Sequence, residues 1–411
     1  MSIKSKFILS AAAVFMGSTA YAGCGLSGGN VSILGNEFAA IQAVAEGAKQ
    51  CAGGGVTVES NLNKDYRELQ VAALTANPAQ YTTVTTTNAA IVPLLNSDLI
   101  RPLDDLIAKH GQHLSKNQMI TVDGKVMAVA FMANAQHLFI REDILKAAGV
   151  EAPKTYEEVI AAGKAIQEAG LMQYPFATTS QTGWNLAQEF VNMYLGHGGS
   201  FFKPGTAEPN VKNETGVAAL NTLKELVSLS NPDYLTFDSN AVQASWEAGD
   251  VAMAHLWGSR GTGILDDEGS TAEIVSNTAL ISSPTVGGGS TPASTLWWDG
   301  FVIASNVSDE DAEASFVAMV NGISPEVVKA NNDAAVWLVE GYEPSPASAG
   351  VAATATGGTK PYPMIPFMGL MHTALGSELT EFLQGSESAE QALADVEASY
   401  VAAAKEKGFL N

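Results

Sequence analysis

The feature that most constrains the fold is an alternation in the first hundred residues. Short apolar or β-branched runs take turns with segments of helical period, and glycines punctuate the joins. Residues 31–34 read as an apolar strand. Asn36 reads as the cap of a helix whose apolar positions Phe38, Ile41 and Val44 recur at helical spacing. Gly53-Gly54-Gly55 breaks the chain before a second strand at 56–59. A helix over 66–76 and a β-branched strand over 81–86 follow. Strand–helix alternation of this kind predicts a parallel α/β lobe. At 411 residues the chain exceeds what one core usually holds, so two lobes are expected.

The N-terminus predicts export. Lys4 and Lys6 precede an apolar run over 7–16, and Ala20-Tyr21-Ala22 offers small residues at both positions a signal peptidase reads. Cleavage after Ala22 is expected, placing the mature protein in the periplasm. The run is shorter than the roughly 20 apolar residues that span a bilayer. Cys24 near the cut raises a lipoprotein as the lesser alternative, but Tyr21 stands where a lipidation signal has Leu. Cleavage removes two lysines and no acids, taking the formal net charge from −22 to −24. That balance argues against nucleic acid and anionic lipid as partners, both being polyanions. Charged residues make up 16% of the chain and apolar ones 46%, the mix of a globular protein and not of a disordered acidic one. Cys24 and Cys51 both survive cleavage, and an oxidising compartment lets them pair as a staple between the N-terminal strand and the first helix. Two thiols are too few for a zinc site.

Further along, Asp123-Gly124 signals a hairpin, followed by an extended apolar run over 126–140. Helices are expected over 156–169, 184–195, 216–228 and 309–321, and across most of 370–405. Residues 341–360, rich in Pro, Gly, Ala and Ser, read as a linker crossing between lobes. Enzyme motifs fail their context tests. Gly23 to Gly28 satisfies a G-x-G-x-x-G pattern with no preceding strand. Ser200 to Lys203 is a stray S-x-x-K. His110 and His113 lack a third metal ligand nearby, so no metal and no cofactor are expected.

Several blocks, in order, resemble the sugar-binding proteins of ABC importers, the family that includes maltose-binding protein. They are Asn61 to Tyr66 before a helix, and Leu99-Ile-Arg-Pro-Leu-Asp104. Next comes Asp123-Gly-Lys-Val to Ala130, running on through Phe139 to Gly149, with its sequel at Pro153 and Thr155 to Glu158. Trp246 to Ala254 and Trp298-Asp-Gly-Phe-Val-Ile-Ala304 complete the set. Phe131-Met132, where a Pro is usual, and Ile140-Arg141, where Tyr-Asn is usual, depart from the pattern near the first hinge.

The resemblance implies a periplasmic-binding-protein fold: two α/β lobes joined by a two- or three-segment hinge, with the ligand cleft between them. The expected lobes are residues 23–134 plus 300–345, and 135–299 plus 346–411, after a signal peptide over 1–22. It implies capture of a sugar by a monomer that delivers it to the transmembrane subunits of an ABC permease. Sugars show apolar C–H faces and hydroxyl edges, so their sites need flat aromatics beside a few convergent polar groups. Carried over by position, the candidates are Asn36 and Glu37 after strand one, Asn61 and Asp65 after strand two, and Thr87 and Asn88 after strand three. Asn134 and the pair Trp298 and Asp299 belong to the crossings, Trp184, Trp257 and Arg260 to the second lobe, and Tyr362 to a late aromatic position. Trp246, on an apolar helical face, reads as core. A neutral mono- or oligosaccharide is favoured over an anionic solute such as a sugar acid or sugar phosphate, because only four arginines occur. A secreted glycosidase, which needs two carboxyls at a set separation, is the alternative of another class.

Overall fold

A computed structural model describes residues 22–266 and 268–411. The expected export signal therefore lies outside the described residues, apart from Ala22 at its end. The strands are β1 (Gly29–Gly35), β2 (Val56–Leu62), β3 (Thr83–Thr87), β4 (Met119–Val122), β5 (Lys125–Asn134), β6 (Gln136–Arg141), β7 (Phe176–Thr178), β8 (Met253–Trp257), β9 (Thr278–Ile281), β10 (Trp297–Ile303) and β11 (Val336–Trp337).

They form two sheets. The first has the order β11-β5-β10-β3-β1-β2, with β4 paired to β5. Its β1, β2 and β3 run parallel, as the alternation of strand and helix requires, while β10 is antiparallel to both β3 and β5. The second sheet has the order β7-β8-β6-β9. Each sheet is covered on both faces. Phe131, Phe301, Phe316 and Trp337 pack on one face of the first sheet, and Leu34, Tyr66, Val84 and Val302 on the other. The second sheet rests on a large helical core containing Phe190, Tyr194, Leu220 and Tyr400, with a smaller cluster around Phe139 and Trp246 behind it. Trp246 is 1% exposed, as its helical face predicts.

The extended run expected over 126–140 is two strands in different sheets. β5 ends at Asn134 and β6 begins at Gln136, leaving Ala135 alone between them. The segment expected as a linker, 341–360, is instead largely helical, with Ala349–Thr356 packed on β6 and β9. Its Ala-rich composition favours helix. Its small side chains also permit close approach: a Cβ on Gly350 would fall 2.2 Å from the His137 ring. The first helix starts at Ala39, later than expected, with no side-chain cap; Asn36 accepts the Glu37 amide at 2.8 Å instead. Cys24 and Cys51 form a disulfide, with Cα atoms 4.9 Å apart. Among the described residues no helix is long and apolar enough to cross a membrane.

Candidate functional site

The carboxyl ends of the parallel strands β1, β2 and β3 open onto a cleft of about 500 Å³ that the second sheet's loops close from the other side. This is the position at which α/β sheets bind ligands, and the volume is that of a small-molecule site. Asn36 and Phe38 enter after β1, residues 64–68 after β2, and Thr87 at the end of β3. Gln181, Trp184 and Asn185 enter from the start of helix Trp184–Gly196, residues 238–240 from the cap of helix Ser239–Glu247, and Trp257, Ser259 and Arg260 from the end of β8.

Strand β10 supplies the inner wall. Side chains alternate along a strand, so Trp297 and Asp299 share one face and Trp298 takes the other. Trp297 and Asp299 line the cleft, while Trp298 borders a separate hollow of about 400 Å³ behind the strand. Trp297 stands nearly perpendicular to Trp257, at 87° with centroids 5.7 Å apart, and 5.6 Å from Trp184. Trp184 and Trp257 lie closer to parallel, 29° apart at 6.3 Å. Three indoles thus form a corner of apolar surface.

Two charged groups meet that corner. Asp299 is 7% exposed, and among the described residues no hydrogen bond reaches its carboxyl group. Burial pushes its pKa up to about 7, and Arg67 partly opposes the rise. The Arg67 guanidinium lies 4.4 Å from the centre of the Trp184 ring, and its Nε donates to the Tyr66 hydroxyl at 3.1 Å. A planar cation laid on an indole is held by the ring's negative face. Among the described residues its terminal N–H groups make no hydrogen bond. Of the other arginines, Arg101 is bound to Asp309 and Arg141 to Asp143. Arg260 bonds Gln243 at 3.3 Å; burial lowers its pKa, opposed by Asp238, Glu37 and Glu247.

Of the expected residues, Asn36, Asp65, Thr87, Asn134, Trp184, Trp257, Arg260 and Asp299 line this cleft. Asn134 spends its side chain on structure, accepting from the amides of Ala135 and Ser259 and donating to the Ser259 hydroxyl.

Five expected residues fall outside the cleft lining. Glu37 is exposed at the entry to the first helix. Asn61 faces outward on β2, where it donates to the Tyr81 hydroxyl at 2.7 Å. Asn88 is 2% exposed and donates to the Leu296 carbonyl, beside the hollow that Trp298 also borders. Trp298 is excluded by strand parity. Tyr362 is 2% exposed, 4.4 Å behind Trp297, with its hydroxyl 2.9 Å from His372 Nδ1, so it supports the wall without reaching its surface. Sequence reasoning missed Trp297, Arg67, Gln181, Asn185 and Asp238. Parity along β10 is the signal that pairs Asp299 with Trp297 and not with Trp298.

Among the described residues no cluster of three or more His, Cys, Asp or Glu side chains is placed to hold a metal.

The profile of the bacterial extracellular solute-binding proteins matches residues 33–322. The chain belongs to that family. A probable ABC transporter-binding protein of Deinococcus radiodurans is 26% identical over 242 residues, 53% of this chain; the match spans about half of that curated relative, 56% of its length. Among solved structures, a ribitol complex of a solute-binding protein from Agrobacterium radiobacter superposes with a TM-score of 0.79 at 21% identity, covering 91% of this chain and 98% of the other. A maltose-bound T. maritima protein gives 0.77 at 16% identity, covering 90% and 98%. The acarbose-binding receptor of Streptomyces glaucescens gives 0.73 at 19%, covering 91% and 97%. The chain therefore has the two-lobed α/β fold of these solute-binding proteins.

Proposed function

We propose that this protein captures a neutral polyhydroxylated compound, a sugar or polyol, between its lobes and delivers it to an ABC permease. The observation that carries this reading is the inner wall. A buried carboxyl group lines the cleft with three indoles, near a guanidinium, and among the described residues neither the carboxyl nor the terminal N–H groups of the guanidinium has a hydrogen-bond partner. Indole faces suit the C–H surfaces of a sugar. The carboxylate accepts from hydroxyls, and the guanidinium donates to them. Relatives of this fold hold ribitol, D-mannitol, maltose and laminaribiose, compounds of this class.

An anion would meet Arg67, but it would also lie against Asp299. Near neutral pH that carboxyl is partly ionised, and a like charge in a desolvated wall opposes the ligand. Arg260 is offset by its acidic neighbours.

In this reading the lobes follow the expected division, 23–134 plus 300–345 and 135–299 plus 346–411, except that β10 pairs along its whole length with β3 and β5, which moves the second boundary back from 299/300 to 296/297. They close around the ligand because only the closed form lets both contact it. The protein acts as a monomeric, cofactor-free carrier in the periplasm after loss of residues 1–22, and it catalyses no reaction. A thermal-shift screen of monosaccharides, disaccharides, linear polyols and sugar acids tests this. A compound at 100 times its dissociation constant adds about 2.7 kcal/mol of stability. Shifts confined to anions would overturn neutrality. Release of reducing ends from an oligosaccharide would make the protein a glycosidase.

A further inference from the structure

Behind the cleft wall lies a buried polar network that ligand contact alone does not explain. Helix Trp184–Gly196 turns Gln188, Glu189 and Asn192 inward, none more than 3% exposed. From the first crossing, the Gln136 amide donates to Glu189 Oε1 at 2.5 Å and to the Thr179 hydroxyl at 2.9 Å. Its oxygen accepts from Asn192 at 2.6 Å. From the second crossing, the Thr295 hydroxyl donates to Asn192 Oδ1 at 2.9 Å. It accepts from the Gln188 amide and from the Trp297 indole N–H, both at 2.8 Å. Ser294 ties the two crossings together by donating to the Gln136 carbonyl at 2.7 Å.

The far end of the network has the order of a nucleophilic triad. Glu189 lies 3.2 Å from His255 Nδ1, and His255 Nε2 lies 3.1 Å from Ser283 Oγ. Ser283 is 2% exposed and donates to the Ala293 carbonyl, so the row is an anchor and not a catalyst.

We infer that Thr295, Gln188 and Asn192 are positioning residues for ligand capture: they hold the Trp297 indole edge-on to Trp257 and bind both crossing segments to the helix that begins at Trp184. The inference rests on the cleft reading above. Trp297 is 4% exposed, and its indole N–H has the Thr295 hydroxyl as acceptor; without it the buried donor carries its full desolvation penalty, which disfavours the present orientation of the ring. The Thr295 hydroxyl is fully used, with one bond donated and two accepted, so no spare group replaces it. The same bonds locate the bending points. Asn134 and Trp297 pair with each other in the first sheet, while Gln136 and Thr295 are tied to the second lobe's helix. On these two crossings only Ala135 and Leu296 lie between the anchored residues, which makes them the bending points of those two segments.

The test uses the mature chain, with Thr295→Val as the nearly isosteric loss of the hydroxyl and Thr295→Ser as its rescue. The first readout needs no ligand: hydrogen exchange of the Trp297 indole N–H by NMR, its resonance assigned by its absence in Trp297→Phe. We expect exchange at least tenfold faster in Thr295→Val and near wild type in Thr295→Ser. Calorimetric titration with ribitol, D-mannitol and maltose is the second readout, and affinity for whichever binds tightest falls about tenfold in Thr295→Val and recovers in Thr295→Ser. Unchanged indole exchange in Thr295→Val overturns the positioning role, whatever the affinities. If Trp297→Ala binds the same sugar as tightly as wild type, the cleft reading itself is lost, and this inference with it.

Discussion

Replacing Asp299 by Asn separates what this carboxyl does for the fold from what it does for the ligand. Its pKa in the folded protein is about 7, against an ordinary 3.8, because burial disfavours the charge more than Arg67 restores it. An acid whose pKa rises on folding binds more protons folded than unfolded, so its contribution to stability falls as pH increases from about 4 to about 7. The cost of keeping Asp in place of a neutral group is about 1.36 kcal/mol per pKa unit. It amounts to about 2 kcal/mol at pH 5 and levels off near 4 kcal/mol by pH 8. Asp299→Asn should therefore stabilise the ligand-free protein, by an amount that grows over that interval. Urea titrations of both proteins at pH 5, 6, 7 and 8, without sugar, measure it. Sugar affinity should move the opposite way, because an amide oxygen is a weaker acceptor than a carboxylate. A stabilisation that does not vary with pH, or a loss of stability at pH 8, would refute the picture of an unpartnered buried acid.

Binding should also be proton-linked: hydroxyls donate best to the ionised carboxyl, so affinity should drop about tenfold from pH 8 to pH 6, with proton release visible as a buffer-dependent heat; a pH-independent affinity would contradict this. Trp257→Ala should weaken sugar binding ten- to a hundredfold in calorimetric titrations, whereas Trp298→Ala, on the far face of β10, should change it less than twofold. Cys24→Ser should cost about 3–4 kcal/mol in urea unfolding, the chain-entropy value for the loop the disulfide closes; a loss under 1 kcal/mol would mean that the N-terminal segment is held by packing alone.

The fold was legible where the local signals agree with the tertiary arrangement. Strand–helix alternation with glycine punctuation placed β1, β2 and β3, and ordered motif blocks carried the family across the rest. Two local readings failed for tertiary reasons. A run of apolar residues over 126–140 gives no sign that the chain changes sheets at Ala135, since both strands are buried and neither alternates clearly. The Ala-rich stretch near 350 reads as linker by composition, yet its small residues are what let a helix lie against His137.

The site was legible by element more than by residue. Positions after strands point to the end of the lobe where the cleft opens, but they do not give facing. Asn88 and Trp298 belong to cleft-forming segments and point behind them. Arg67 is one helical residue among many, and nothing in its sequence context shows that it reaches an indole of the other lobe. The polar positions Gln188, Glu189 and Asn192, within an otherwise apolar helix, were a visible signal. Buried polar groups require partners, and each of these side chains finds at least one on a crossing, although the Gln188 Oε1 has none among the described residues.

Hydrogen–deuterium exchange with mass spectrometry, using the sugar that gives the largest thermal shift, shows directly whether the ligand lies between the two sides of the cleft. Protection on sugar binding should appear together in peptides covering 64–68, 181–185, 257–260 and 297–299, drawn from both sides of the cleft. Protection on one side only, or confined to the hollow bordered by Asn88, Trp298 and Tyr362, would contradict it.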